Sequence, residues 1–195
     1  MESFNDKIRC PWATNDPIYV RYHDKEWGVP VYDDITLFEM LILDGAQAGL
    51  SWITILKKRE NFRKAFDNFD PHKMAEYGSK KIDELLKDSG IIRNKLKIES
   101  AINNAKQYLK VLEKYGSFSN FIWSFVDGKP IVNKWKEVKQ IPAFSAVSDK
   151  MSKKLKAEGF TFVGTTICYA FMQAAGLVND HLVSCYRYDE ILKLY

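Results

Sequence analysis

Four residues that make good metal ligands lie in two pairs near the two ends of the 195-residue sequence. The pairs are Cys10 with His23, and His181 with Cys185. Thiolate and imidazole are ligands that Zn²⁺ prefers, and two of each would form a closed tetrahedral Cys₂His₂ site. The sequence contains three cysteines and three histidines, so the pairs use most of them. The alternative is that each residue is buried separately, and the spacing leaves both interpretations open.

The spacing within each pair predicts how the chain would present the ligands. His181 and Cys185 are four positions apart, which on a helix places both on one face. Cys10 and His23 are too distant in sequence to share a helical turn, so we expect a loop to fold back and bring them together. In a reducing compartment the thiols of Cys10 and Cys185 would favour a metal over a disulfide.

Aromatic and acidic residues are concentrated between residues 12 and 52. The aromatic residues there include Trp12, Tyr19, Tyr22, Trp27, Tyr32 and Trp52. Ring faces attract cations and a carboxylate adds a directional acceptor, so the segment could form a pocket for a flat cation. Asp44 follows three large aliphatic residues, which places it at a helix boundary or against a site, because burying an unpaired carboxylate is costly. Core aromatic residues and a solvent-facing acid are the alternatives.

Two glycines close to this acid suggest contact with another backbone. Gly45 and Gly49 are spaced i, i+4 around Gln47, which would allow a close approach. Leu50, just beyond, is small enough to act as an apolar wedge between base pairs. Packing between two helices explains the same glycines equally well, so the sequence alone does not choose between these interpretations.

A second motif predicts a helix-hairpin-helix near residues 85–98. A short helix meets Ser89-Gly90, two isoleucines follow, and a new helix begins near Asn94. Amides exposed at the turn around Gly90 and at the start of the second helix could hold a DNA phosphate. Basic residues that would assist are Arg93, Lys95 and Lys97. An ordinary turn between two helices would have a similar sequence.

The elements that must position these residues are helical almost throughout. Apolar residues recur at helical spacing in segments 37–48, 82–87, 98–112, 149–156 and 165–175. Asp70-Pro71 predicts a helix start and Gly176 a helix end, while Asp127-Gly128 allows one short hairpin. We therefore predict a compact all-α fold over residues 1–195, as one large domain or two closely fused lobes, with its two ends tied together.

Composition and charge narrow the class of protein. No run of 18 or more apolar residues occurs, and the polar N-terminus lacks a signal-peptide apolar region, so we expect a cytoplasmic protein that binds no membrane. The net charge is +4, and residues 129–156 contain eight lysines against two acids. Such an excess could follow a phosphate backbone or form a solvated face.

Taken together, these motifs resemble bacterial DNA-3-methyladenine glycosylase I, an all-α family of the helix-hairpin-helix glycosylase superfamily. The matching segments are CPW (10–12), DPIY (16–19), YHDKEWGVP (22–30), AGLSWITILKKREN (48–61), FVGTTICY (162–169) and GLVNDH (176–181). The similarity runs from about Cys10 to Tyr186, and motifs of this length and order are highly specific. The resemblance implies that the four ligands hold one structural Zn²⁺ per chain.

The resemblance also implies an activity and a set of pocket residues. The family flips N3-methyladenine out of double-stranded alkylated DNA and hydrolyses its N-glycosidic bond, which leaves an abasic site. By position, Tyr22 and Trp52 become stacking faces for the base, Tyr19 a hydrogen-bonding phenol and Trp12 a wall. The family's pocket carboxylate, usually a glutamate, falls on Asp44. We expect this shorter acid to accept from the exocyclic amine of 3-methyladenine.

The same resemblance places Gln47, Gly49 and Leu50 in a segment that probes the DNA strand and fills the gap left by the flipped base. No lysine occupies a recognised nucleophile position, so we expect simple hydrolysis without a covalent intermediate. We also expect the protein to be a monomer. A zinc-dependent hydrolase is the first rival class, but it requires an open fourth ligand position. The second is a non-catalytic zinc-containing DNA-binding module that recognises alkylated bases, which the loss of the family glutamate at Asp44 would favour.

Overall fold

The fold is built almost entirely from helices, in a computed structural model that describes residues 7–13 and 16–195. The α-helices of this part of the chain are α1 Pro17–Lys25, α2 Asp34–Gln47, α3 Trp52–Ala65, α4 Pro71–Ala75, α5 Ser79–Lys87, α6 Lys95–Tyr115, α7 Phe118–Trp123, α8 Ala146–Ala157, α9 Thr165–Ala174 and α10 Tyr186–Leu192. Short 3₁₀ turns cover Asp67–Phe69, Ser124–Val126 and Val138–Gln140. The strands are β1 Ile131–Val132 and β2 Val178–Asn179. The all-α prediction is confirmed.

Side-chain caps explain where several helices begin. Asp33 accepts from the amide of Thr36 at the start of α2, over 2.7 Å. Asp70 caps α4, whose first residue is Pro71, and Asn94 caps α6. Each cap satisfies backbone amides that have no partner inside the helix. The helix starts predicted at Asp70-Pro71 and near Asn94 are therefore confirmed.

Helix α2 is the central element, since it packs against α3, α6, α7 and α9. Its apolar face supplies Leu37, Phe38 and Leu41, all of them almost fully buried. Phe38 meets Tyr108 of α6 with the two ring centres 4.8 Å apart. Cys168 on α9 is fully buried in the same core. Because α2 packs against four other helices, the side chains of its C-terminal half are held in fixed positions.

The segment after α7 does not fold into the short hairpin that Asp127-Gly128 allowed. Both residues adopt positive φ and turn the chain, but residues 123–126 remain helical, so they offer no strand edge. Strand β1 instead pairs in parallel with β2, with Ile131 opposite Val178. This pairing fixes the lysine-rich segment beside the residues that precede His181.

The end of α9 depends on a glycine. Gly176 has φ of +73°, and a Cβ there would lie 2.5 Å from the backbone nitrogen of Pro30. The helix therefore stops at Ala174, as Gly176 predicted, and the chain turns directly into β2. Among the described residues, no helix is both long and apolar enough to cross a membrane.

Candidate active site and metal centre

The two predicted ligand pairs meet in one buried cluster. Cys10 lies in the loop before α1, His23 in the last turn of α1, His181 after β2, and Cys185 at the N-cap of α10. All four are buried, and their ligand atoms lie within 4.8 Å of one another. The prediction that a helix presents His181 and Cys185 is wrong. The chain turns between β2 and α10, with the Cys185 amide bonded to the carbonyl of Leu182, and α10 begins only after Cys185.

The distances within the cluster match the edges of a tetrahedron around a metal ion. His181 Nδ1 lies 3.7 Å from the Cys10 sulfur and 3.6 Å from the Cys185 sulfur. His23 Nε2 lies 3.4 Å from the Cys185 sulfur. Typical zinc–sulfur and zinc–nitrogen bond lengths give a tetrahedral edge of about 3.6 Å between the two ligand types. The cluster therefore has the size and the donor atoms of a metal site.

Hydrogen bonds outside the cluster also orient both imidazole rings for a metal. His23 Nδ1 lies 2.8 Å from the Asp24 carboxylate, and His181 Nε2 lies 3.0 Å from the carbonyl of Trp27. Each of these acceptors requires a proton on the nitrogen it faces, so the opposite ring nitrogen presents a lone pair to the cluster. The Cys10 amide donates to His23 Nε2, which agrees with this tautomer.

A charged network of Asp24 and Arg9 contacts the His23 ring on the side that faces away from the cluster. Arg9 contacts the Asp24 carboxylate with Nη2 to Oδ2 at 2.7 Å and Nε to Oδ1 at 2.9 Å. Burial raises the pKa of Asp24, but hydrogen bonds from Arg9 and His23 outweigh it and lower that pKa to about 2. Asp24 is thus a permanent carboxylate behind a metal-facing histidine. Such partners fix the ring orientation and increase the basicity of the ligand.

The two cysteine thiols of the cluster differ in acidity. A hydrogen bond with Cys185 raises the pKa of Cys10, and burial raises it further. The same hydrogen bond, donated by Cys10, lowers the pKa of Cys185. A metal ion in the cluster would require both thiols to lose their protons.

Beside the cluster of four candidate ligands lies a cavity of about 380 Å³. Its lining is mostly aromatic and apolar and includes a few polar groups. The lining residues are Trp12, Tyr19, Tyr22, Trp27, Asp44, Gln47, Trp52, Val138, Ile141, Pro142, Ala170 and Gln173. The predicted pocket residues Trp12, Tyr19, Tyr22, Trp52 and Asp44 thus share one site. A concave apolar cavity with a few convergent polar groups is typical of a small-molecule site.

The aromatic rings form the walls of this cavity. Trp12 packs edge-on against Tyr19, with ring centres 5.8 Å apart, and Tyr22 lies 5.5 Å from Trp52. Tyr22 is buried, and its pKa is raised first by that burial and then by the nearby charge of Asp44. The hydroxyl of Tyr22 therefore keeps its proton and remains a hydrogen-bond donor.

Trp27 connects the cavity to the cluster of four candidate ligands, a role that the sequence did not reveal. Its ring lies 4.9 Å from the ring of Trp12 and 4.6 Å from the ring of His181, edge-on in both contacts. Its carbonyl accepts from His181, as described above. The sequence signals were its place among the clustered aromatic residues and in the segment YHDKEWGVP, four residues after His23.

Asp44 is the polar group on which the chemistry of the cavity depends. It lies on α2 with 2% of its surface exposed, and no hydrogen bond or ion pair of its carboxyl group occurs within residues 7–13 and 16–195. Burial raises the pKa of Asp44 well above its usual value. The alternative of a solvent-facing acid is therefore wrong. A buried carboxyl group without a partner is destabilising, which is the expected signature of a group kept for a ligand.

The neighbouring acid of α2, Glu39, has a different environment. Its carboxylate accepts from Arg63 on α3, with Nη2 to Oε1 at 2.7 Å, and it does not line the cavity. Glu39 thus holds α2 against α3 through an ion pair. Glu39 and Asp44 lie five positions apart on one helix, but Glu39 forms a structural ion pair whereas Asp44 has no partner among the described residues.

A second buried acid, Asp180, organises the far wall of the cavity and was missed by the sequence analysis. It accepts four hydrogen bonds: from Asn133 Nδ2, Trp135 Nε1 and Tyr169 OH, each at 2.7 Å, and from Gln173 Nε2 at 2.8 Å. These bonds orient the amide of Gln173 at the cavity wall and anchor the segment that leads to Val138 and Pro142. The sequence signals for Asp180 were its place in the segment GLVNDH and its position next to His181.

The chain leaves α2 through a tight turn that carries Leu50. The Leu50 amide donates to the carbonyl of Gln47 over 2.7 Å, and Gly49 has φ of +76°, so residues 47–50 form a type II turn. Leu50 is 40% exposed. The two glycines serve different purposes, because a Cβ on Gly45 would lie 3.4 Å from Phe162 whereas Gly49 has open space around it. Gly45 permits packing, and Gly49 permits the turn.

Helices α5 and α6 are joined by the predicted short turn. The Gly90 amide donates to Asp88 Oδ1 over 2.7 Å, Ile91 is buried, and Arg93 and Lys95 are exposed. Lys97 does not fit the phosphate-binding role predicted for it. Its ammonium group donates instead to two backbone carbonyls at the end of α2.

Comparisons with known proteins agree with this site. The sequence profile of the methyladenine glycosylase family matches residues 12–188. The chain is 52% identical to DNA-3-methyladenine glycosylase 1 of Escherichia coli (strain K12), over 92% of this chain and 96% of that protein. It superimposes on a crystal structure of 3-methyladenine DNA glycosylase I with a TM-score of 0.90, at 51% identity, covering 92% and 98% of the two chains.

A second solved structure concerns recognition of the base. It is 3-methyladenine DNA glycosylase I from Staphylococcus aureus, solved for the structural basis of 3-methyladenine recognition. The match has a TM-score of 0.89 at 41% identity and covers 91% of this chain and 95% of that one. From its sequence and its fold, the chain belongs to the methyladenine glycosylase family.

Proposed function

We propose that this protein is a DNA-3-methyladenine glycosylase of base-excision repair. It extrudes N3-methyladenine from double-stranded alkylated DNA and hydrolyses the N-glycosidic bond, which leaves an abasic site. The observation that carries the proposal is Asp44, a buried carboxyl group with no protein partner in the wall of an aromatic cavity. The family relationship extends over residues 12–188, and we assign the whole chain to one functional domain.

The charge of the substrate explains why such a cavity suits the reaction. N3-methyladenine in DNA carries a positive charge and departs as a neutral purine, so its leaving group needs less protonation than adenine does. Aromatic faces such as those of Tyr22 and Trp52 attract a cationic ring by about 0.5–2 kcal/mol. Tyr19 supplies a phenol hydrogen bond and Trp12 closes one wall. The enzyme's main task is then to extrude the base and hold it.

Asp44 provides the negative charge that selects a cationic base. Its carboxylate accepts from the exocyclic amine of 3-methyladenine, and the positive ring favours the ionised form of the acid. Binding of the base therefore lowers a pKa that burial has raised in the free protein. Because aspartate is one methylene shorter than the glutamate usual in the family, a water or a backbone group completes the contact.

Two further segments hold the DNA. Gln47, Gly49 and Leu50 fill the space that the extruded base leaves in the duplex, with exposed Leu50 as the apolar wedge. The turn around Gly90 places the exposed side chains of Arg93 and Lys95 where they hold the backbone phosphates, while the Gly90 amide itself already donates to Asp88 Oδ1. These phosphate contacts position the protein on the duplex without reading the sequence.

The phosphate contacts predict a specific salt dependence. Arg93→Ala and Lys95→Ala are each expected to weaken duplex binding equally for all sequences and to reduce the slope of log affinity against log salt by about 1. Fluorescence anisotropy of a labelled duplex between low and moderate salt measures this slope. Lys106→Ala, which removes an exposed lysine farther along α6, is the matched control. An unchanged slope in both hairpin variants would remove the hairpin from the DNA interface.

We also propose that Cys10, His23, His181 and Cys185 hold one structural Zn²⁺. Four protein ligands complete a tetrahedral coordination shell and leave no position for a reactive water. The ion would join the two ends of the chain beside Tyr22 and Trp27, which line the cavity. We further propose that the enzyme works as a monomer in the reducing cytoplasm, where the thiols remain available to the metal.

A base-release assay tests the function directly. Purified protein is incubated with methylated duplex DNA, and the free bases are separated by chromatography. Release of 3-methyladenine, with little 7-methylguanine, is the expected result. Tight binding to alkylated DNA without release of any base would instead support a non-catalytic DNA-binding module. The same assay after chelation separates a structural ion from one required at every turnover.

A further inference from the structure

We propose that Lys97 is a positioning residue that couples the phosphate-binding hairpin to the turn carrying Leu50; this inference rests on the proposed glycosylase function. Lys97 lies in the first turn of α6, directly after the hairpin. Its Nζ donates to the carbonyl oxygens of Ala46 over 2.8 Å and Ala48 over 2.6 Å. One side chain thus joins two segments about 50 positions apart in sequence.

The two carbonyls lie where α2 gives way to the turn. Ala46 belongs to the last turn of α2, and Ala48 is its C-cap residue and the second residue of the type II turn. Carbonyls at a helix C-terminus have no partner inside the helix, and a cation is favourable there. The ammonium of Lys97 therefore fixes the direction in which the chain leaves α2, and with it the position of Leu50.

The other end of Lys97 is fixed to the hairpin. Its amide donates to the N-cap side chain of Asn94 over 3.2 Å. Arg93 and Lys95, the proposed phosphate contacts, flank this cap in sequence. Partial burial of the side chain also lowers the pKa of Lys97, which agrees with an ammonium that is turned away from water.

This arrangement separates the role of Lys97 from those of its neighbours. A phosphate contact would affect the salt dependence of DNA binding, and a pocket residue would affect binding of the free base. A residue that positions Leu50 acts on neither quantity. Its loss should appear when a base must be extruded from a duplex and the vacated space must be filled.

The test uses Lys97→Met, which keeps a linear side chain and removes the ammonium. We expect the single-turnover excision rate on methylated duplex DNA at saturating enzyme to fall about tenfold, in line with the sensitivity of catalysis to misplacement. The dissociation constant of free 3-methyladenine, from quenching of tryptophan fluorescence, and the salt slope of duplex binding should stay unchanged. Lys106→Met, on the exposed side of the same helix, should match the wild type in all three.

A double-mutant cycle shows whether Lys97 acts through Leu50. In protein carrying Leu50→Ala, the additional Lys97→Met change should produce no further loss of rate, because the wedge it positions is absent. If the tenfold loss persists in that background, Lys97 acts elsewhere and the inference is wrong. If Lys97→Met protein does not fold, Lys97→Gln, which keeps a donor without the charge, undergoes the same measurements with the same criteria.

The remaining outcomes also decide the question. A salt slope reduced by about 1 with an unchanged rate would make Lys97 a phosphate contact. A joint fall in melting temperature and free-base affinity would make it a general structural residue, and no change in any quantity would leave it without a role. Absence of 3-methyladenine release by the wild type would overturn the proposed function itself, whereas release at equal rates by wild type and Lys97→Met would overturn only this inference.

Discussion

Asp44→Asn protein is expected to excise 3-methyladenine at least about 100-fold more slowly than the wild type, and to unfold at a higher temperature at neutral pH. The amide keeps the size of the side chain but loses the negative charge that a cationic base requires. It also removes a buried carboxylate that has no protein partner. Loss of activity with a gain of stability distinguishes a residue kept for its substrate from one that supports the fold.

The gain in stability should depend on pH in a defined direction. Burial raises the pKa of Asp44 above the value of 3.8 expected for an exposed aspartate. Ionisation therefore favours the unfolded chain, and the wild type loses stability as pH rises from the unfolded pKa to the folded one. Below the unfolded pKa the carboxyl group is protonated in both states. The difference in melting temperature between variant and wild type should be largest at neutral pH and should shrink as pH falls towards 4.

The measurements are single-turnover excision rates and thermal melts between pH 4 and pH 8. Glu39→Gln is the matched control, because it removes another acid of α2 that is paired with Arg63 outside the cavity. We expect that variant to retain its activity and to gain no stability. Excision at the wild-type rate by Asp44→Asn protein, or a lower melting temperature at neutral pH, would contradict the role given to Asp44.

Removal of the metal is expected to have the largest effect on stability. A structural ion that binds only the folded chain contributes its binding free energy to folding. A loss of about 5 kcal/mol would lower the melting temperature of a chain of this size by roughly 10–20 °C. Cys185→Ser should have a similar effect, because it removes one of the four ligands. The ends of the chain, joined through Cys10 and His181 across 171 positions, would then be free to separate.

Removal of the metal should affect the excision rate much less than it affects the stability. Since four protein ligands close the coordination shell, metal-free protein that is still folded at low temperature should retain most of its excision rate. Metal content by mass spectrometry, melts with and without a chelator, and excision rates at low temperature give the three readouts. Cys168→Ser is the control for metal content, because this third cysteine lies in the core away from the cluster.

Two results would contradict this interpretation. Protein that contains no zinc and takes none up would remove the ion from the proposal. Loss of excision on chelation without any change in melting temperature would assign the metal to catalysis.

Asp24→Asn should weaken metal binding without removing a ligand, since loss of a carboxylate that contacts a histidine ligand weakens metal binding by about 10–100-fold. It should require less chelator than the wild type for the same loss of stability.

Much of this protein could be predicted from local sequence signals. Helical periodicity and caps such as Asp70 and Asn94 act within a few residues, so helix starts and ends followed from the sequence alone. The ligand and pocket residues were predictable as sets through the resemblance to a known family, because residue types and spacing alone left separate burial and core packing open. Their roles in binding and catalysis remain predictions that the variants above will test.

The tertiary structure alone decided which groups meet across long separations. Strand β1 pairs with β2 instead of a neighbouring segment, and the loop between β2 and α10, not a helix, presents His181. Asp180 accepts from Asn133 and Trp135, which lie more than 40 positions away, and Lys97 donates to carbonyls at the C-terminal end of α2. Asp44 and Glu39 lie on the same helix, yet only Asp44 lacks a partner. A side chain's type is local information, whereas its partner depends on how helices pack, and that packing is set by the whole chain.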